Sequence, residues 1–375
     1  MTLEVRRVET RQDLRAFIDL PYRLHAGDPH WIPLLRMEVR KILGSGNPFW
    51  SHADHACFLA VRDGKTVGRI AAIVDYNHIR FHDETVGFWG FFESIEDPEV
   101  ADSLFAEAED FLCARGVHAS RGPMNPSTND ECGLLIDGFD TPPRLMMPHN
   151  PPYYRDLVEH CGYGKIKDLY AYSYDITSEP LKRLERLSRR VRNHESSLIV
   201  RPINLKDFNR ELQHVLDIYN SAWEKNWGFV PMDDDEVLYM AKRLKPLVEP
   251  RLLQLAFIED EPAGFIMSLP DYNQVLRGLD GRLFPLNLFK ILIRSRHIDA
   301  LRVFTMGTKP EFRTRGLDAV LYGESFRAAL DLGYKKAEFS WILEDNYLIQ
   351  KVADMVGADR YKTYRIYERM LKEAA

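Results

Sequence analysis

Apolar positions along the chain follow two periods. Short runs alternate or fill completely, as strands do, and longer stretches between them repeat every three to four residues, as helices do. Late in the chain, residues 301–306 form an apolar run that reads as a buried strand. Gly307, Thr308 and Pro310 break it. Leu317, Val320, Leu321, Phe326 and Leu330 then keep to one helical face. Between strand and helix stands a basic turn, Arg313-Thr314-Arg315-Gly316. Gly333-Tyr334 ends the helix and residues 337–341 return to a strand pattern.

The first half has a similar alternation. Residues 3–8 predict a strand, and Thr10 is placed to cap a helix reaching about His25. One short helix follows among Pro29, Trp31, Pro33 and Asn47-Pro48-Phe49. Residues 57–62 and 67–75, joined at Asp63-Gly64, predict a hairpin. Then come a strand over 86–93, an amphipathic helix over 98–115 ended by Gly116, and a strand over 117–122. Residues 170–176 close this half. A basic amphipathic helix over 178–193 follows, then a strand over 198–203, a helix over 207–223 and a hairpin over 252–269.

Composition narrows the classes. A chain of 375 residues suffices for two cored domains. The formal net charge of −6 argues against a general nucleic-acid binder. Cys57, Cys113, Cys132 and Cys161 are scattered without metal spacing and read as reduced core thiols, so no metal is expected. No run approaches the roughly 18 apolar residues of a span, and the first residues lack the apolar core of a signal peptide. A cytoplasmic location is therefore expected. Two stretches are candidates for peripheral contact with the inner face of a membrane: 178–193, otherwise a solvated linker helix, and 284–297, otherwise a cover for an acyl chain or a segment buried between domains.

Three stretches carry candidate chemistry. A helix N-terminus offers unpaired N–H groups and partial positive charge, and Arg313 and Arg315 add two cations there, which suits a phosphate. In 220–237, Trp223, Trp227 and Phe229 around Asn226 and Gly228 make an apolar wall with a few polar points, with Glu224 and Glu236 as candidate bases. In the Gly-, Pro- and Asn-rich stretch 121–154, Asn125, Ser127, Asn129 and Glu131 can bind a polar head group or fold back on their own backbone.

Strand–PEFRTRGLDA–helix resembles the pyrophosphate loop of the GCN5-related N-acetyltransferase (GNAT) superfamily, whose pattern is Arg/Gln-x-x-Gly-x-Gly/Ala. Arg313 and Gly316 match it; Asp318 departs from it. Asn346 and Gly357 also have the family spacing. The family's frequent general-acid Tyr is replaced by Ala353, which leaves Tyr347, Tyr361 and Tyr364 as substitutes. The resemblance implies acetyl-CoA or a longer acyl-CoA as co-substrate. Met306, Gly307, Thr308, Arg313, Thr314, Arg315, Gly316, Leu317 and Asn346 would hold it. Glu236, Tyr347 and Tyr364 would be catalytic, and Asn125, Asn129, Trp223, Asn226, Trp227 and Phe229 would line the acceptor side.

The first half has the same order of elements, but its crossing, Ser94-Ile95-Glu96-Asp97-Pro98, is acidic and lacks Arg, Lys and Gly. This predicts a divergent duplication. The fold class expected is α/β (α+β): two tandem GNAT-like domains, each a central mixed, mostly antiparallel twisted sheet flanked by helices. Their bounds are 1–177 for a copy without the loop, 178–197 for the linker and 198–375 for the copy with the acyl-CoA site. Asn47-Pro48-Phe49, Val67-Gly68-Arg69-Ile70 and the 121–154 stretch resemble the bacterial ceramide synthase-like group of tandem GNAT acyltransferases. That implies N-acylation of an amine, with a long-chain base or other lipid-like amine among the acceptors. The alternatives are a non-catalytic lipid- or peptide-binding module on the same scaffold and an aminoacyl-tRNA-dependent transferase; the acidic balance weighs against the latter.

Overall fold

The structure, a computed structural model, describes residues 2–224, 226–283 and 287–371, with Ser178 described by its backbone alone. Residues 284–286, the start of the stretch 284–297, lie outside the described residues. The chain divides into two units: Met1–Tyr170 with Leu276–Ile291 and Tyr361–Ala375, and Ala171–Val275 with Leu292–Arg360.

The first unit runs β1 (Leu3–Arg7), α1 (Arg11–Leu24), α2 (Arg36–Ile42), β2 (Ala53–Arg62), β3 (Lys65–Asp75), α3 (Tyr76–His82), β4 (Val86–Ser94), α4 (Pro98–Cys113) and β5 (Ala119–Gly122). Three short strands follow, β6 (Met124–Asn125), β7 (Glu131–Cys132) and β8 (Leu134–Asp137), then α5 (Tyr153–His160) and β9 (Gly164–Asp175). Strands β1 to β5 lie side by side in chain order. All pairs are antiparallel except β4–β5, which are parallel across α4. Thr10 and Asp13 form the capping box that starts α1. Helix α4 lies close on β3: a Cβ on Gly68 would come within 2.7 Å of Leu104. Leu104, Phe105 and Ala108 join Ile70 and Trp89 in the core beneath α4. Phe17 and Ile18 of α1 join Leu59 and Phe91 in a second cluster.

A buried polar knot ties α1, β4 and α5 together. Glu93 Oε2 lies 2.7 Å from His25 Nε2 and accepts from Tyr154 Oη at 2.7 Å, with Arg69 at 3.4 Å from Oε1. Burial raises the Glu93 pKa, but His25, Arg69 and Tyr154 more than reverse that and hold it below the usual carboxylate range. A carboxylate so depressed stabilises the fold above its unfolded pKa of about 4.3 and loses that contribution as pH falls. Glu93→Gln is therefore expected to be less stable than the wild type at pH 7 and to approach it as the pH drops below about 4. Urea unfolding across that pH range checks this; a constant difference would contradict it.

The second unit takes over β9 from Ala171 onward. It continues with α6 (Ser178–His194), β10 (Ile199–Pro202), α7 (Phe208–Trp223), α8 (Asp234–Leu244), β11 (Leu253–Ile258), β12 (Glu261–Pro270) and α9 (Asn273–Leu276). After α10 (Asn287–Arg294) come β13 (Ala300–Thr308), α11 (Leu317–Asp331), β14 (Lys336–Leu343) and α12 (Tyr347–Val356). The strand order is β10-β11-β12-β13-β14, then the end of β9. Only β13–β14 among the first five is parallel, across α11. Each unit is thus a mixed, mostly antiparallel sheet with one parallel crossing.

The last strand, β15 (Asp359–Met370), pairs with β5 from Tyr367–Gly122 to Met370–Ala119 and also with β8. From Tyr361 on, the chain therefore completes the first unit, whereas a boundary at 198 assigns that strand to the second. Residues 171–197, expected in the first domain and the linker, go with the second unit. Side chains explain where β15 goes. Buried Lys362 donates to the carbonyls of Gly138 and Thr141, and Arg365 grips Asp168 with bonds of 2.8 and 3.1 Å.

Candidate functional site

In the second unit, two strands part. The parallel register of β13 and β14 runs from Ala300–Lys336 to Val303–Phe339, yet the strands continue to Thr308 and Leu343. The register of β13 with β12 slips between Thr305 and Val303, so Phe304 is an extra residue at the point of parting. Such a bulge bends a strand. On its other edge β13 stays paired with β12 as far as Thr308–Gly264. At the base of the opening, Arg302 Nε donates to Ser340 Oγ at 2.8 Å and Ser340 Oγ donates to Glu338 Oε1 at 2.7 Å.

Three features gather at the mouth. Gly307 carries the ring of Trp223, because an added Cβ would lie 2.3 Å from Trp223 Cη2 and 2.9 Å from Ala222 Cβ. Thr308 Oγ1 is buried without a hydrogen-bond partner. Arg313, though exposed, folds back on the chain, its Nε donating to Thr308 O at 3.3 Å and its Nη2 to Ala222 O. Next, Pro310–Arg315 makes a 3-10 turn, and Gly316 enters α11 at φ 73°, a left-handed conformation that suits glycine. No side chain caps α11, so its first N–H groups lack one usual partner. Thr314 and Asp318 are exposed and Leu317 is buried. Arg315 pairs with Glu195 at 2.9 Å, and Val191 of α6 sits where a Cβ on Gly316 would fall.

Trp223 also meets Tyr219, with ring centroids 4.7 Å apart, and Tyr219 meets buried Phe229 at 5.6 Å. Asn226 forms the turn between them, its N–H donating to Trp223 O at 2.7 Å and its carbonyl accepting from Phe229 N at 3.2 Å. Trp227, in the same turn, is half-buried. Burial, and then the Glu236 charge, push the Tyr219 phenol well above its ordinary pKa. Glu236 accepts from Asp233 N at 3.0 Å in the capping box of α8. One turn before Trp223, Asn220 Oδ1 is buried without a partner. A small apolar cavity of about 10 Å³, lined by Leu184, Val303, Tyr322, Phe326, Phe339 and Val352, lies beneath α6 and α11. That is room for about one water, not an acyl chain.

No protein-family model matches the chain. The bacterial ceramide synthase of Caulobacter vibrioides (strain NA1000 / CB15N) is 38% identical over 377 residues, covering 98% of both chains. The chain belongs to the family of that synthase. Protein YghO of Escherichia coli (strain K12) is 36% identical over 376 residues, covering 98% of this chain and 95% of its own. Among solved structures, a tandem GNAT protein from the clavulanic acid biosynthesis pathway superposes with a TM-score of 0.59 at 11% identity over the whole of both chains. A GNAT protein from Sphaerobacter thermophilus gives 0.55 at 13% identity, covering all of this chain and 97% of its own. At such identity the two carry the fold alone.

The remaining residues of the GNAT pattern are scattered. Asn346 caps α12, its side chain accepting from Ile349 N at 3.3 Å, and Tyr347 is exposed beside it. Ala353 is buried in α12. Met306 lies on β13, paired with Ile266, among the residues past the parting. Tyr361 and Tyr364 belong to the first unit, Tyr364 fully buried in β15. Sequence reasoning missed Tyr219, Asn220 and Glu195. The spacing of 219, 220 and 223 on one predicted helix was the available signal for the first two; nothing local marks Glu195 as the Arg315 partner.

The first unit has the same parting, closed by its own chain. The β4–β5 register ends at Phe88–Arg121 while β4 continues to Ser94. Asn125 Oδ1 accepts from Phe91 N at 2.6 Å, and a Cβ on Gly90 would collide with Met124 O. Asn129 N donates to Ser127 Oγ at 3.2 Å in the adjoining turn. The N-terminus of α4 is capped by Asp97, which Arg62 also holds. A carboxylate thus stands where an anion would dock.

Proposed function

We propose that the protein is an acyl-CoA-dependent N-acyltransferase that moves an acetyl or longer acyl group to an amine, with a long-chain base or other lipid-like amine as acceptor, and that the second unit does the chemistry. One observation carries this reading: the parting of β13 and β14 beside an uncapped α11, where the first unit has filled both places with its own chain. The buried, unpartnered Thr308 Oγ1 at that mouth fits an incoming acceptor of hydrogen bonds.

In this reading the first N–H groups of α11, with Arg313 and Arg315, hold the pyrophosphate, and the open edge of β13 pairs with the pantetheine amides. Backbone N–H groups at Met306–Thr308 polarise the thioester carbonyl. The amine attacks the carbonyl carbon, the C–N bond forms, and the C–S bond breaks as the thiolate takes a proton. The unpartnered Asn220 Oδ1 would receive an N–H of the amine, and Glu236 is the candidate base. Tyr219, kept protonated by burial and by Glu236, joins Tyr347 as a candidate acid, whereas Tyr364 lies in the core of the first unit.

Arg313→Ala with Arg315→Ala is expected to weaken CoA binding more than tenfold, since each charge-assisted bond is worth about 1.5–3 kcal/mol. Calorimetry with CoA checks this; unchanged binding would remove the proposed grip. The Arg315–Glu195 pair favours a second reading, a non-catalytic lipid- or peptide-binding module, because it already satisfies one of the two cations. No CoA binding by the wild type, together with no acyl transfer, would select that alternative.

A further inference from the structure

The insertion between β12 and β13 is tied down at its base and exposes large apolar side chains along α10. At the base, Gln274 Nε2 donates to Asp299 Oδ1 at 3.0 Å and Asp299 N donates to Gln274 Oε1 at 3.2 Å. Asn287 Nδ2 at the start of α10 donates to the carbonyls of Arg282 at 2.7 Å and Leu279 at 3.3 Å. Beyond these ties, Leu288, Phe289, Leu292 and Ile293 are 37%, 65%, 57% and 65% exposed. Two pairs among them, 288 with 292 and 289 with 293, are four apart, so the four side chains form adjoining rows on the helix. A contiguous apolar patch of this kind marks a contact surface.

Charge decides what the contact is. Lys290, Arg294, Arg296 and His297 stand among and just after the apolar side chains, and residues 283–298 contain no Asp or Glu. A second copy pairing the same face with itself would bring these cations together. Helix α6 carries more cations, but its apolar side turns inward: Leu184 is buried and Ser188 Oγ bonds to Ala319 O of α11. It has charge without an exposed apolar wedge. Helix α10 has both. Its eight residues span only about 12 Å, so it can lie on a bilayer but not cross one.

We propose that α10 docks this protein on an anionic lipid bilayer, with Phe289, Leu292 and Ile293 entering the acyl boundary and Lys290, Arg294 and Arg296 meeting the phosphates. Burial of the apolar wedge supplies the anchor, and the cations select the surface and make binding sensitive to salt. The proposal does not depend on the acyl-transfer reading, and its test needs no substrate.

The test is co-sedimentation of the full chain with vesicles of phosphatidylcholine alone or mixed with phosphatidylglycerol. The wild type is expected to pellet with the mixed vesicles and to be released by high salt. Phe289→Ser with Ile293→Ser should weaken that partition at least tenfold. Lys290→Gln with Arg296→Gln should weaken it about fivefold per charge and reduce the salt sensitivity. All four sites are on the surface, and thermal melts should overlay the wild type. Three results would overturn the proposal: no pelleting by the wild type, equal pelleting on neutral vesicles, or equal pelleting by the Phe289/Ile293 variant. Self-association abolished by that variant, in a chain that does not pellet, would assign the face to a second copy instead.

Discussion

Gly307→Ala is expected to lower acyl transfer about a hundredfold while leaving a folded protein. The Trp223 ring rests directly on Gly307, with Cη2 and Cζ3 at 2.3 and 2.5 Å from the position of an added Cβ. A methyl group there forces the indole, or β13 itself, to move. Overpacking of this kind costs about 1–3 kcal/mol of stability. The larger effect is positional: Met306 and Thr308, on either side of Gly307 on β13, supply the N–H groups proposed to polarise the thioester, and misplacement by about 1 Å can cost a hundredfold in rate. Trimming the obstacle should undo the damage. Gly307→Ala combined with Trp223→Leu is expected to recover most of the turnover, with a non-additive double-mutant cycle as the signature. Steady-state kinetics on the two single variants and the double variant would decide it. If Gly307→Ala left kcat/KM unchanged, β13 would not be the strand that presents the thioester.

Glu338→Ala is expected to destabilise the protein by about 3–5 kcal/mol, the largest stability effect foreseen. Glu338 and Arg302 face each other in the parallel register of β13 and β14, and both side chains are almost fully buried, 0% and 1% exposed. Their closest polar atoms are 3.8 Å apart and Ser340 Oγ bridges them. Removing the carboxylate leaves a guanidinium in the interior with reduced compensation, which is the costly half of breaking a buried pair. Replacing both members, Glu338→Leu with Arg302→Met, should recover much of the loss, since apolar side chains of similar volume substitute well for buried ion pairs. Urea unfolding followed by circular dichroism gives the number. A midpoint that hardly moves in Glu338→Ala would mean that Arg302 finds another partner or water. The pair lies just before the strands part, so the same variant also asks whether the opening needs a rigid base.

Several elements were legible from residue order because their causes are local. Thr10 with Asp13 specified the start of α1 through a capping box, and the left-handed Gly116 marked the end of α4. The hairpin at Asp63-Gly64 followed from alternation around a turn pair. The basic turn and Gly316 were visible as a strand–turn–helix pattern, and α11 begins where it was expected. Helix α3 was missed: Asp75 caps it, its first residues continue directly from β3, and its seven residues give too little periodicity to register. In Asn125, residue type alone left open whether the amide meets a ligand or the chain itself; in the structure its Oδ1 accepts from Phe91 N, a partner 34 residues away.

By itself, the sequence indicated two halves of mixed, mostly antiparallel strands and helices in the same order, with a phosphate-suited turn in only one of them. Those follow from hydrophobic period, caps, glycines and the sign of charge at each turn, all set by neighbouring residues. Only the tertiary structure decided that Trp223 covers Gly307, that Glu195 holds Arg315, that Asn125 closes the first unit's opening, and that the final strand completes the first unit through Lys362 and Arg365. Each of these joins residues tens to hundreds of positions apart. The reason is packing: which side chain fills a gap depends on what else has been brought to it, and no local period along the chain records that.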